Sequence, residues 1–139
     1  MAKLNPFLRF NSGKCRKAME FYKSIFGGTL EFMTLGESPM AKDFPKAKHN
    51  LIMHSELSSG SIVFYGSDMF RDKAVIGDNV GMALNCDNEK ELNGHFSKLS
   101  KGGKIFMKPK KEYWGGIFGM VTDKYGVEWM LNFQVEPRK

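Results

Sequence analysis

Two stretches share one layout: "FYKSIFGGTLEF" at residues 21–32 and "FSKLSKGGKIFM" at residues 96–107. Each runs from an aromatic lead through a basic and apolar middle to a Gly-Gly pair and an apolar finish, and the two pairs lie 75 residues apart. Around the first pair, Cys15, Ala18, Met19, Tyr22, Ile25 and Phe26 recur at helical spacing, which puts them on one helix face. Ser12 is the expected N-cap, and Gly27-Gly28 ends the helix because glycine enters the left-handed region without penalty. Around the second pair, Leu92, Phe96 and Leu99 form the matching stripe, and Asp87 is the expected cap.

The flanking segments read as strands. "LNPFLRFN" (4–11) precedes the first helix, with Pro6 near its start where a strand tolerates it. "TLEFMTL" (29–35), "HNLIMHSEL" (49–57) and "SIVFYGSD" (61–68) follow, the last two joined by Ser58-Ser59-Gly60, a hairpin-type connection. The second half repeats this order with "VGMALNCD" (80–87), then the helix, then "KIFMKP" (104–109), "GGIFGMVTD" (115–123) and "VEWMLNFQV" (127–135). The chain therefore reads as a duplicated β-α-β-β-β unit, with modules at 1–70 and 78–136 inside one domain, 1–139.

Composition bounds the rest. A chain of 139 residues, 42% hydrophobic and 26% charged, is that of an ordinary soluble globular domain. No run of about 18 apolar residues and no charged-then-apolar leader occurs, so no membrane partner is expected and the expected location is cytoplasmic. Cys15 and Cys86 are too few and too far apart for a disulfide framework or a cysteine-based zinc site. The net charge of +6 raises the question of nucleic acid. The basic stretches "KDFPKAKH" (42–49) and "KPKK" (108–111) carry proline without interleaved aromatics, however, and read as solvated loops rather than a nucleic-acid surface.

With "AMEFYKSIFGG" (18–28), "MHSEL" (53–57) and "WGGIFGMVTDKYGVEWMLN" (114–132) in place, the chain resembles the vicinal oxygen chelate superfamily of glyoxalase I, bleomycin-resistance proteins and extradiol dioxygenases. Within that superfamily it is similar to the PhnB-like branch. The resemblance implies an α+β fold in which two β-α-β-β-β modules form cupped half-barrel sheets around a cavity, helices outside. It also implies a homodimer. In metal-bearing members each module supplies two ligands, and the family pattern falls here on Asn5, Phe64, Gly81 and Met130. None is His, Asp or Glu, the donors that hold and use a divalent cation. No cofactor and no metal at the inherited position are therefore expected.

Strand alternation nominates the cavity-facing residues. Leu4, Leu8 and Phe10 make an apolar row for the helix side, which leaves Asn5, Phe7 and Arg9 for the cavity. In the third strand Leu51, Met53 and Leu57 read as helix-facing, turning His54 and Glu56 inward. That pair could ligate a metal or act as a base with its orienting acid, or could simply line a polar patch. His49, beside a lysine-rich loop, and His95, on a helix, are weaker candidates. Phe64, Trp114, Met120 and Met130, with Asn85, Glu128 and Asn132 as polar anchors, complete a lining of the kind that small-molecule sites use. Relatives often carry an acidic then a basic residue where this chain has Gly116 and Ile117, so polar function at the cavity rim is expected to be lost.

Two functions compete. One is a metal-free binding protein for a small, partly aromatic or cationic molecule, as bleomycin-resistance proteins are. The other is a lyase or isomerase using His54 and Glu56, with or without a divalent cation; a purely structural or regulatory dimer, with side chains filling the cup, is the third possibility. A methyltransferase label attached to some members of the branch finds no Gly-rich strand-to-helix turn here to support it.

Overall fold

The computed structural model describes residues 1–70 and 72–134; Val135, which ends the expected 127–135 strand, and residue 136 lie outside them. The chain divides into two units, Met1–Val75 and Ile76–Lys139. In the first, β1 (Phe7–Phe10), α1 (Cys15–Phe26), β2 (Thr29–Thr34), β3 (Ile52–Ser59) and β4 (Ile62–Asp68) follow one another, with three short 3-10 turns between β2 and β3. The strands form a sheet of order β1-β4-β3-β2. In the second, β5 (Met82–Asn85), α2 (Glu89–Ser100), β6 (Lys104–Lys111), β7 (Gly116–Thr122) and β8 (Glu128–Gln134) form a sheet of order β5-β8-β7-β6. In both, the outer pair β1/β4 or β5/β8 is parallel and the rest antiparallel. Identical topology in the two units is the duplication that the repeated spacing announced.

Each helix covers one face of its sheet. Cys15, Ala18, Met19 and Tyr22 of α1 are fully buried, against Phe10, Leu57 and Phe64 among other core residues. Tyr22 meets Phe64 edge-on at 5.5 Å between ring centres. In the second unit Leu92, Phe96 and Leu99 of α2 share the core with Ile117, Val121, Trp129 and Leu131. Each such large apolar side chain contributes about 1.5–3 kcal/mol by leaving water.

The glycine pairs have one physical explanation in both units. Gly27 (φ 72°) and Gly102 (φ 73°) take the left-handed turn that leaves the helix. Gly28 then passes so close to the backbone of Ser58 that a side chain would collide with its carbonyl, and Gly103 does the same against Thr122. The first glycine of each pair turns the chain and the second lets two strands touch.

Helix starts depart from expectation. Ser12 does not cap α1: the N-cap position is Lys14, which makes no side-chain cap bond. Instead the carboxylate of Asp68, at the end of β4, accepts from the Cys15 amide at 2.9 Å and, through its other oxygen, from the Ile52 amide at 2.8 Å. At α2 the cap is Asn88 rather than Asp87, its Oδ1 accepting from the Glu91 amide at 2.8 Å. Asp123, 3% exposed, plays the tying role in the second unit, accepting from the Tyr125 and Val127 amides and from the Trp129 indole at 2.8 Å. No helix among the described residues is long and apolar enough to cross a membrane.

Candidate functional site

With one face of each sheet under its helix, the opposite face is where side chains are available for chemistry. In the first unit, strand pairing sets Phe7 beside Tyr65, Arg9 beside Ser67, Tyr65 beside Glu56, Met33 beside His54 and Glu31 beside Glu56. Paired residues share a face. Phe7, Arg9, His54 and Glu56 therefore come together, as the alternation predicts. The rings of Phe7, His54 and Tyr65 form a cluster, with centres 6.3 Å (Phe7 to His54), 6.4 Å (Phe7 to Tyr65) and 5.3 Å (His54 to Tyr65) apart. The Arg9 guanidinium lies 5.3 Å from the centre of the Phe7 ring, within cation–π range. The cluster adjoins a hollow of about 350 Å³ lined by Phe7, Arg9, Met53, Asp68, Phe70 and Asp72 among others.

Three residues of this unit need correction. Phe64 does not face the cavity: it is 2% exposed and packed against Tyr22 and Phe26 of α1. Tyr65, which the sequence reading missed, occupies the open face instead. "SIVFYG" offers no polar alternation to fix its phase, and a one-residue slip exchanges the two faces. Met53 does not join Leu57 in the helix-facing row. The β2/β3 register jumps from Met33↔His54 to Thr34↔Ile52, so Met53 is the extra residue of a bulge. The bulge leaves Ile52 buried at 2% exposure and delivers Met53 to the wall of the hollow. Asn5 lies before β1, and its side-chain Nδ2 donates to the Val63 carbonyl at 3.1 Å, so it pins backbone.

In the second unit Ala83 pairs with Met130, Asn85 with Asn132, Met120 with Met130 and Thr122 with Glu128. Asn85, Met120, Glu128, Met130 and Asn132 thus share the face opposite buried Val121, Trp129 and Leu131. Asn132 Nδ2 donates to Asn85 Oδ1 over a long 3.4 Å. Trp114 stands in the turn between β6 and β7, and its ring covers Gly116 so closely that a Cβ there would overlap it. Glycine at 116 thus makes room for an indole on this face. Ile117 is 6% exposed on the helix side, so it never belonged to a cavity rim.

The remaining titratable candidates are structural. Burial pushes the Cys15 thiol up to about 12, against a hydrogen bond with Ser55 that lowers it. Burial likewise raises Cys86 to about 11, reinforced by Glu91 and Asp87. Neither is a thiolate near neutral pH, and thiols in that state are poor nucleophiles. Burial also lowers the His95 pKa. His49 Nε2 contacts the carbonyls of Ala41 at 2.8 Å and Phe44 at 3.0 Å, where it ties the loop between β2 and β3.

The four positions that the family pattern assigns to metal ligands do not fit a hard or borderline cation. Asn5 is spent on backbone, Phe64 lies in a core, Gly81 has no side chain and Met130 offers a thioether. Among the described residues no three of His, Cys, Asp and Glu come together to hold an ion.

Known proteins agree with the fold. Protein YjdN of Escherichia coli (strain K12) is 29% identical over 140 residues, covering 93% of each chain. The crystal structure of PA1353 from Pseudomonas aeruginosa is 32% identical with a TM-score of 0.80, over 95% of this chain and 98% of that one. The PhnB protein from Bacillus cereus is 27% identical with a TM-score of 0.71, over 95% and 99%. Residues 3–131 match the family model itself. The chain belongs to the Glyoxalase/Bleomycin resistance protein/Dioxygenase superfamily, with a PhnB protein among its structural relatives.

Proposed function

We propose that this protein binds a small, partly aromatic molecule on the helix-free face of its first sheet, without the divalent cation of its metal-bearing relatives, and that it does so as a cytoplasmic homodimer. The observation that carries this is the Phe7–His54–Tyr65 ring cluster with Arg9 on Phe7, next to an open hollow. Flat rings and one guanidinium are suited to stacking and to an acidic substituent. Glu31 and Glu56, directly opposed across β2 and β3, suit a cationic group. Like charges set opposite each other are unfavourable until something positive arrives.

The test is native mass spectrometry of untagged protein taken gently from cells, followed by thermal-shift screening with aromatic amines and aromatic acids. A retained small molecule, or a ligand whose effect disappears in Arg9→Ala and Tyr65→Ala, is the expected result. No retained mass and no shift from any compound would overturn the proposal. His54 and Glu56 share the same face, which favours acid-base lyase or isomerase chemistry as the second reading. Turnover of a bound compound that stops in His54→Ala would select it.

A further inference from the structure

A methionine ladder crosses the helix-free face of the second sheet. Met107 of β6 pairs with Met120 of β7, and Met120 pairs with Met130 of β8, so three methionines occupy neighbouring positions on adjacent strands. Neighbouring strands lie about 4.8 Å apart, and the unbranched methionine side chain is flexible enough for the outer two to lean toward the middle one. The pairing of β6 is irregular on both sides of Met107, with register shifts between Ile105 and Met107 and between Met107 and Lys110. Met107 is thus the residue at which an irregular edge strand returns to its partner. These sulfurs do not fill the helix-side core: Met107 is 38% exposed, and Met120 and Met130 are half-buried.

We propose that Met107, Met120 and Met130 form a site for a soft monovalent cation of the Cu(I) class. Thioethers are soft, neutral donors that select Cu(I) over Mg, Ca or Mn. Charge points the same way. Lys104, Lys108, Lys110 and Lys111 on β6 oppose a doubly charged ion more than a singly charged one, while Glu128, two residues from Met130 on the same face, offers a countercharge. Binding replaces solvent ligands by sulfur lone pairs and moves neither proton nor electron. The site stands independently of the small-molecule proposal.

The test uses the full chain labelled with ¹³C in its methionine methyl groups and Ag(I) as the air-stable probe of this class. The methyl signals are assigned by Met107→Leu, Met120→Leu and Met130→Leu, near-isosteric changes that keep the fold. About one Ag(I) per chain, with shifts in those three signals and weakened binding in each variant, is expected. Zn(II) should move none of them. If Ag(I) leaves the three signals in place, either because nothing binds or because it goes to Cys15 and Cys86, the site does not exist.

Discussion

Glu31 and Glu56 face each other across β2 and β3, and nothing in the sequence spacing advertises it, because the pair is made by register across a long loop. Glu56→Gln should therefore raise the stability of ligand-free protein by about 0.2–1 kcal/mol in urea unfolding while weakening any cationic ligand. A stability loss with ligand affinity intact would contradict the role given to that pair. Gly116→Ala should drive the Trp114 ring off the face at a cost of about 1–3 kcal/mol, seen as a red shift of indole emission that is absent in Trp114→Phe. Trp129, buried and bonded to Asp123, should be unmoved in either variant. The same scale shows where sequence reading stops. Phe7, Arg9, His54 and Glu56 can be read onto one face because polar and apolar residues alternate around them. Phe64 and Tyr65 were exchanged because both are aromatic, and only packing against Tyr22 and Phe26 tells them apart.

At the level of elements, α1 shows which boundaries are written locally. Its apolar stripe and Gly27 set its end at Phe26 as the glycine pair predicts, whereas the expected Ser12 cap put its start too early. Its start is held by Asp68, a residue 53 positions away, so no local cap motif could have revealed it. Asp68→Ala should strip two buried amides of their acceptor and cost about 2 kcal/mol or more, measured by urea unfolding. An effect below a few tenths of a kcal/mol would show the tie to be idle. Cys15, at the first position of α1, gives a test in pH. Its thiol is raised from 9.0 to about 12 in the fold, so the unfolded chain loses this proton first as pH rises. Its contribution to stability is complete below about pH 9 and is lost progressively up to about pH 12. Thiol trapping of native protein at pH 8 should accordingly leave Cys15 unlabelled until unfolding. The bulge at Met53 belongs to this scale too: one inserted residue reversed the expected face of the strand's first half without altering its composition.

Over the whole chain, the duplicated β-α-β-β-β pattern was the legible part, because hydrophobic period and glycine position repeat in both halves and the two sheets have the same strand order. The family itself rests on the match of residues 3–131 to the family model. The chemistry is less legible, since it depends on which side chains a sheet brings opposite one another. The central claim is that this chain keeps the family fold but binds no divalent cation, the inherited ligand positions lacking the donors for one. Elemental analysis of untagged protein, alongside His54→Ala and Glu56→Ala, after exposure to Zn, Ni, Mn and Fe tests it most directly. No stoichiometric divalent metal in any sample is the predicted result; one equivalent in the parent protein that disappears in both variants would contradict it.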